Sequence, residues 1–452
     1  HGFDSAMGVD GIEDQLLVPL AMFLDDVFLD AMLFEQETAA IYGQEVRLEG
    51  WRSEQTLDII SIHDANGLGI EQDLNDVANL AMDEVVKLDD GRYRGLLSVD
   101  DVLDIVRQPS VMWLRFEPQM TFSNDQSKNH MKITTMRSYF TTDLDGSGQI
   151  VAVADSGLDE DHGDFGTRVI GNFDVIGDGS TADKHSGHGT HVACTVLGDG
   201  TKGGYAGVAP DANLYFQAME NDNTGNFQSP SLNYLLNTAY NSGARIHTNS
   251  WGSSAASNQG KYTSESEDVD DRANNYDRVY NGVEGLTILF AAGNDGPNAG
   301  TVSSPSTAKN SVTVGNHQAR YNGAPDNLMS GSSRGPTDDG RIKPDIIAPG
   351  GYVRSCRAQE AQDIVGSSWQ STWYLEYTGT SMATPNAAGA SALIREYLLE
   401  IAQRPSPQGA LIKALLVLGA QDINTRDIPN NDEGWGRVNL KETLAPSQGR
   451  GI

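Results

Sequence analysis

Three short glycine-rich peptides carry the side chains of this sequence that could do covalent chemistry. In chain order they are VAVADSG with Asp155, GHGTHVA with His188 and GTSMATP with Ser381. A serine hydroxyl is a weak nucleophile until a base takes its proton, and histidine can act as that base near neutral pH. A buried carboxylate fixes the histidine tautomer and stabilises the imidazolium. The three peptides therefore predict acyl transfer by Asp155, His188 and Ser381.

A fourth peptide, FAAGND, ends an apolar run on Asn294. Its side-chain amide could donate a hydrogen bond to an oxyanion that develops on a carbonyl under attack. Each peptide alone has an ordinary explanation, since an aspartate often lies in a turn, a serine caps a helix, and a histidine is structural. Four of them in one chain favour a catalytic set. The order Asp, His, Ser is that of subtilisin and differs from that of chymotrypsin and the α/β-hydrolases.

These four peptides resemble those of the subtilisin-like serine proteases, the subtilases, and the resemblance covers roughly residues 135–445. It implies that Ser381 is the nucleophile and that His188 acts first as general base and then as general acid. Asp155 would orient His188. The Asn294 side chain and the backbone N–H of Ser381 would form the oxyanion hole.

The resemblance also implies a substrate cleft, substrates and a location. Residues 246–252, 333–337, 341–345 and 434–438 are similar to those of the secreted bacterial alkaline proteinases, a branch of the same family. We therefore expect a secreted enzyme that acts on proteins or peptides and needs no cofactor for catalysis. The residues expected to line the cleft and the primary specificity pocket are Ser250, Trp251, Gly252, Ala291, Ala292 and Gly293.

Alternating short apolar runs and helices after about residue 149 predict the scaffold for these side chains. Continuous apolar strands are typical of a parallel sheet that is buried on both faces. The predicted fold is α/β, a subtilisin-like three-layer sandwich with a central parallel sheet, preceded by a smaller α+β domain. Strands are expected at 150–154, 214–218, 245–248, 286–292, 311–314 and 345–348, and helices after His188 and at 231–242, 381–403 and 407–419.

The net charge of −31, from 62 acidic and 31 basic residues, is concentrated at the front of the chain. Residues 1–123 hold 25 acidic and 7 basic residues, or −18, and the remainder holds 37 and 24, or −13. Such an acid excess argues against partners that need a basic surface, namely nucleic acid and anionic membranes. The apolar stretch 16–24 is shorter than the roughly 20 residues that a membrane-spanning helix needs.

The change in composition near residue 123 predicts a domain boundary there, and the resemblance to subtilases implies three regions. They are an acidic helical segment of unknown role (1–42), a propeptide-like domain that assists folding and inhibits (43–123), and the catalytic domain (124–452). In the first two regions the residue pattern predicts helices at 10–40, 74–88 and 99–107 and strands at 56–60 and 111–116. Subtilases commonly carry such a propeptide, whose tail occupies the cleft as an intramolecular inhibitor. We expect self-cleavage between Met120 and Asn124. The alternatives are a permanent domain with no inhibitory role, and a zymogen that another protease activates.

The two cysteines and the acidic clusters leave alternatives open. Cys194 and Cys356 are either two free buried thiols or one disulfide, and the sequence does not decide between them. Their spacing does not suggest a zinc site. The acidic stretches 174–183 and 265–271 could supply oxygen ligands to structural calcium, or could be solvated surface. We expect 143–148, which lacks the later ligands of a calcium loop, to be a turn.

A rival from another functional class is a binding protein on a catalytically silent protease fold. The complete set of Asp155, His188 and Ser381 argues against it. Four other histidines, His162, His185, His191 and His247, are expected to be structural.

Overall fold

The computed structural model describes six strands between residues 38 and 116, and residues 124–446 apart from 254, 278–284, 320–326, 365 and 424–426. The chain forms two compact units, His1–Met120 and Thr121–Ile452. Among the described helices, none is long and apolar enough to cross a bilayer.

The first unit contains a two-stranded and a four-stranded antiparallel sheet. The strands are β1 (Thr38–Ile41), β2 (Gln44–Arg47), β3 (Gln55–Ser61), β4 (Val85–Asp89), β5 (Arg92–Leu97) and β6 (Val111–Phe116). The larger sheet has the order β4-β5-β3-β6, so β4 and β5 form a tight hairpin while β3 lies between β5 and β6.

Sequence predictions for this unit are confirmed in part. The strands expected at 56–60 and 111–116 are β3 and β6. Two predicted helices extended too far, because residues 38–40 of the expected helix 10–40 lie in β1 and residues 85–88 of the expected helix 74–88 lie in β4. The helix expected at 99–107 and the cleavage site after Met120 lie outside the described residues.

The second unit is built on a seven-stranded parallel sheet, as the sequence predicted. Its order is β13-β12-β11-β10-β7-β9-β8, which places β7 in the interior of the sheet. The strands are β7 (Ile150–Asp155), β8 (Val169–Asp174), β9 (Asn213–Ala218), β10 (Ile246–Asn249), β11 (Thr287–Ala291), β12 (Val312–Gln318) and β13 (Ile346–Gly351).

Helices cover both faces of this sheet and make it a three-layer sandwich. They are α1 (Asn124–His130), α2 (Ile133–Arg137), α3 (His188–Leu197), α4 (Leu232–Asn241), α5 (Ser264–Asp277), α6 (Thr380–Glu400), α7 (Gly409–Leu418) and α8 (Leu440–Leu444). Side chains of β7 alternate between the two faces, since Val151 and Val153 pack in the core that contains α3 and α6. Ala154, on the other face, packs in the core that contains α4 and α5. The predicted α/β fold is therefore confirmed.

A disulfide joins the two cysteines and decides the alternative that the sequence left open. An antiparallel hairpin, β14 (Val353–Cys356) and β15 (Tyr374–Tyr377), lies beside α3. Cys194 of α3 bonds to Cys356 of β14, with 5.7 Å between their Cα atoms. This separation is within the usual range for a disulfide. The bridge therefore ties the helix that begins at His188 to the hairpin.

Candidate active site

Asp155 and His188 meet at the carboxyl end of the parallel sheet, where open α/β sheets place their sites. Asp155 is the last residue of β7 and His188 is the first of α3. Their Oδ1 and Nδ1 atoms are 2.6 Å apart. The Asp155 side chain is buried, whereas 28% of the His188 side chain is exposed. With Asp155 ionised, Nδ1 donates the hydrogen bond, and Nε2 keeps a lone pair that can accept a proton.

Two glycines allow His188, at the start of α3, to lie close to Asp155, at the end of β7. Gly187, at the N-cap of α3, has φ 68°, a left-handed conformation that residues with a side chain rarely adopt. Gly189 packs against the loop after β7, and a Cβ there would lie 2.3 Å from the carbonyl oxygen of Gly157. The glycines on each side of His188 are thus needed to bring α3 against the end of β7.

Nearby acidic side chains control the basicity of His188. Burial alone would lower the pKa of its imidazole. The charge of Asp155 and its hydrogen bond act in the opposite direction, and the charges of Asp183 and Glu220 add to them. The net result is a pKa above the ordinary histidine value. His188 is therefore a stronger base than a free imidazole.

Ser381 lies in the first turn of α6 and is held by Ser250. The Ser381 hydroxyl donates to the carbonyl oxygen of Ser250 at 3.0 Å, and the Ser250 hydroxyl donates to the carbonyl oxygen of Ser381 at 2.8 Å. The Ser250 carbonyl is therefore the described acceptor of the Ser381 hydroxyl. Catalytic hydrogen bonds often form fully only when substrate is bound.

Asn294 lies beside the start of α6 with its amide orientation fixed. Its Oδ1 accepts hydrogen bonds from the backbone N–H of Thr380 at 2.9 Å and from the Thr380 hydroxyl at 3.1 Å. The amide nitrogen is therefore directed to another acceptor. A Cβ on Gly379 would lie 3.5 Å from Nδ2 of Asn294 and 3.7 Å from the backbone N of Ser381. The two donors that an oxyanion hole would use therefore lie beside Gly379, and Oδ1 of Asn294 is also near this position, at 3.4 Å.

Among the predicted cleft residues, Trp251 has a large side chain near the site, whereas the glycines and alanines pack closely against neighbouring residues. Trp251 donates from Nε1 to the carbonyl oxygen of Ala154 at 3.0 Å, which fixes its indole beside the end of β7. Gly252 and Gly293 pack closely on Ser303, because a Cβ on either would lie within 3.3 Å of its hydroxyl.

Ala291 and Ala292 are buried at the end of β11. The backbone N–H and carbonyl of Ala292 already bond to Val314 and Ser303. These two buried alanines can therefore support the wall of a pocket, and the described backbone bonds of Ala292 are made to the protein itself.

The four remaining candidate histidines bind partners away from this pair, as expected. His191 is buried with Nε2 3.1 Å from the carbonyl oxygen of Val353, and burial lowers its pKa to about 3. Burial also lowers the pKa of His247 to about 3. The ring of His247 contacts the side-chain oxygen of Gln217 at hydrogen-bond distance. His162 has the same kind of contact with the Trp373 carbonyl oxygen, and His185 with the Asp363 carboxylate.

The acidic stretches that could have held calcium are largely engaged by the protein itself. Both carboxylate oxygens of Asp174 accept backbone N–H groups of the loop 176–179. Asp270 accepts from the Tyr262 hydroxyl and from the backbone of Lys309 and Asn310. Calcium stays a prediction from sequence that these contacts do not strengthen. The expected turn at 143–148 is present, with Asp145 accepting from Ser147 just before β7.

A buried group of His162, Asp164 and Cys356 brings potential ligand atoms within 4.8 Å of one another. Cys356 is bonded to Cys194, so its sulfur is not a thiolate. As described, this group does not offer three free ligands to a metal ion.

Sequence analysis missed Ser156 and considered Asp183 only as one acid among residues 174–183. Both are buried, and the Ser156 hydroxyl donates to Asp183 Oδ1 at 2.9 Å. Their positions immediately after Asp155 and five residues before His188 were the available signal.

Comparison with known proteins agrees with this geometry. The family profile described as the subtilase family matches residues 146–436. Serine protease AprX of Bacillus subtilis is 33% identical, and the match covers 67% of this chain and 67% of that protein. The Dictyostelium discoideum serine protease/ABC transporter B family protein tagD is 28% identical over 67% of this chain. The chain spans only 23% of the length of tagD.

A solved structure also shares the fold. The Prenylagaramide maturation protease PagA superposes with a TM-score of 0.51 at 20% identity, covering 69% of this chain and 96% of that one. At that identity the likeness shows the fold alone. Together with the family profile and the relatives, the arrangement of Asp155, His188, Asn294 and Ser381 leads to one conclusion: the chain belongs to the subtilase family of serine proteases.

Proposed function

We propose that the chain is a secreted serine endopeptidase that hydrolyses peptide bonds in proteins or peptides through an acyl-enzyme on Ser381. The observation that carries this proposal is the 2.6 Å contact between His188 Nδ1 and Asp155 Oδ1 at the carboxyl end of β7. It leaves Nε2 as a base with a raised pKa. The start of α6, with Ser381 and the oriented amide of Asn294, supplies the nucleophile and two N–H donors.

The reaction follows from these positions. As the Ser381 oxygen attacks the substrate carbonyl, its proton passes to His188 Nε2, and Asp155 stabilises the imidazolium. The oxyanion accepts hydrogen bonds from Asn294 Nδ2 and the Ser381 N–H. When the intermediate collapses, His188 gives the proton to the leaving amine. Water then attacks the acyl-enzyme with His188 again as base, which releases the acid and restores Ser381.

A fluorophosphonate probe, which reacts with activated serines, tests this assignment. We expect the chain without residues 1–123 to be labelled and Ser381→Ala to remain unlabelled. Ser391→Ala is the matched control, because Ser391 lies on the same helix with its hydroxyl bonded to the carbonyl oxygen of Ala387. Labelling of Ser381→Ala would show that another serine is the nucleophile, and no labelling of the wild type would indicate a catalytically silent binding protein.

We also infer that residues 43–123 are a propeptide that inhibits intramolecularly and is removed by self-cleavage between Met120 and Asn124. The compact first unit, which ends at Met120, and its four-stranded antiparallel sheet support this role. Purified full-length wild type incubated alone should shorten to a chain that begins near Asn124, whereas Ser381→Ala should persist. Persistence of both would indicate activation by another protease.

Secretion is the location that best fits the disulfide. Disulfides persist in oxidising compartments and are rare in a reducing cytosol. The pair Cys194–Cys356 is buried, with no free cysteine among the described residues. Protein from its native source, denatured with a maleimide and without reductant, should take up no label. Labelling of both cysteines would oppose this location.

A further inference from the structure

A second buried carboxylate lies behind the Asp155–His188 pair. Asp183, five residues before His188, has no exposed surface. Its Oδ1 accepts a hydrogen bond from the Ser156 hydroxyl at 2.9 Å. The same hydroxyl accepts from the backbone N–H of Gly189 at 2.8 Å. Ser156 thus bridges Asp183 to the residue that follows His188.

The other contacts of Asp183 and Ser156 complete a closed set around the start of α3. Asp183 Oδ2 accepts from the backbone N–H of Thr190 at 2.8 Å. The backbone N–H of Ser156 donates at 2.8 Å to Asp155 Oδ1, the oxygen that also contacts His188. The first N–H groups of a helix have no partner within the helix. Asp183 and Ser156 satisfy two of them and join them to the end of β7.

We propose that Asp183 is a positioning residue, which through Ser156 and the first turn of α3 holds the His188 imidazole in line with Asp155. This inference rests on the proposed function, because it concerns the same reaction. A glycine N-cap has no side chain with which to fix the helix start, and Gly187 occupies that position. Asp183 supplies the missing acceptor from an adjacent loop, and its negative charge faces the positive end of the helix dipole.

Asp183 also acts on His188 through its charge, which affects the pKa of the imidazole. The acidic groups that raise the pKa of His188 are Asp155 on β7, Asp183 before α3, and Glu220 after β9. Burial raises the pKa of Asp183 itself to about 7, although Thr190 and Ser156 oppose this. His191, the other titratable group of α3 near His188, stays neutral because burial lowers its pKa to about 3. Asp183 is ionised above about pH 7, where its charge favours the imidazolium, so replacing it by a neutral residue should lower the pKa of His188.

Two variants separate the contributions of the bridge and the charge. Asp183→Asn removes the charge at nearly constant shape, and Ser156→Ala removes the bridge while leaving the carboxylate. Glu360→Gln is the matched control, because Glu360 Oε1 accepts from the backbone N–H of Asp183 at 2.9 Å but has no described contact with Ser156 or α3. All three are compared with wild type as processed enzyme, with the active fraction counted by fluorophosphonate titration.

We expect kcat to fall on the order of 10- to 100-fold in Asp183→Asn and Ser156→Ala, with KM within about twofold of wild type, since small displacements of catalytic groups cost rate. The acid limb of kcat/KM should move to lower pH in Asp183→Asn only. The Glu360→Gln control should match wild type in both respects.

Three results would overturn the proposal: kcat unchanged in both variants, an equal loss in the control, or a lower melting temperature with kcat and the acid limb unchanged. The last would show that Asp183 only stabilises the fold, and Ser156→Ala keeps the test usable if Asp183→Asn does not fold. Failure of the proposed function is distinct, because wild type itself would then not react with the fluorophosphonate.

Discussion

At the scale of single residues, the orientation of the Asn294 amide is the feature on which the proposed oxyanion hole depends. Thr380 holds Asn294 Oδ1 with two hydrogen bonds, and this fixes the orientation of an amide that lies beside Gly379. Asn294→Ala should lower kcat by on the order of 10²–10³, the cost found for the oxyanion amide of a subtilisin, with KM little changed. Asn258→Ala, which removes an amide bonded to Ser253, is the control. Equal kcat values for the two variants would contradict the assignment.

The protonation of His188 is the second residue-scale property that can be measured. Its pKa is raised above 6.5, so the base is protonated and inactive below that raised value and becomes active as pH rises through it. The acid limb of kcat/KM should therefore have its midpoint above 6.5. Glu220→Gln removes one of the charges that raise this pKa, so its midpoint should lie at lower pH than that of wild type. A midpoint that moves upward in this variant would show that Glu220 does not act on His188 by charge.

At the scale of elements, the disulfide between α3 and β14 is the feature whose energy can be tested most directly. It closes a loop between residues 162 positions apart, which restricts the unfolded chain. Replacing both cysteines by alanine should reduce the free energy of unfolding by about 2–5 kcal/mol. Thermal melts with and without a phosphine reductant measure this, and the double variant should not respond to reductant. If wild type also fails to respond under conditions that reduce the bond, the bridge contributes little.

The elements predicted correctly and those missed differ in how their side chains are buried. Strands such as β7 and β11 are buried on both faces and therefore appear as continuous apolar runs. β8 is an edge strand whose Ile170 and Phe173 are half exposed, so its pattern is weak. α5 is strongly acidic, and the apolar side chains that it is described as burying are Val269 and Ala273, so its sequence resembles solvated surface.

The sequence predicted which residues form the candidate site, but it did not predict the hydrogen bonds between them. Asp155, His188, Asn294 and Ser381 each lie in a peptide whose neighbours are distinctive, and so the sequence indicated them. The bonds that orient them join residues far apart in the chain, as between Ser381 and Ser250. Such pairings depend on how the strands are ordered in the sheet, which no local pattern contains.

At the scale of the whole molecule, the distribution of charge predicts which substrates reach the site fastest. The processed enzyme should carry −13, because −18 of the −31 lies in residues 1–123. Part of this charge acts on the site itself, because the carboxylates of Asp155, Asp183 and Glu220 act on His188. A negative field attracts cationic ligands and raises their association rate, and salt screens it over about 10 Å at 0.1 M and about 3 Å at 1 M.

Two peptides with one scissile sequence and either lysine or glutamate flanks test this steering. Between 0.1 M and 1 M NaCl, kcat/KM should fall several-fold for the lysine peptide and rise or stay level for the glutamate peptide, because screening removes attraction in one case and repulsion in the other. An uncharged flank of serine and glycine corrects for effects of salt on the enzyme itself. If all three peptides share one salt dependence, the net charge of the catalytic unit does not guide substrate to the cleft.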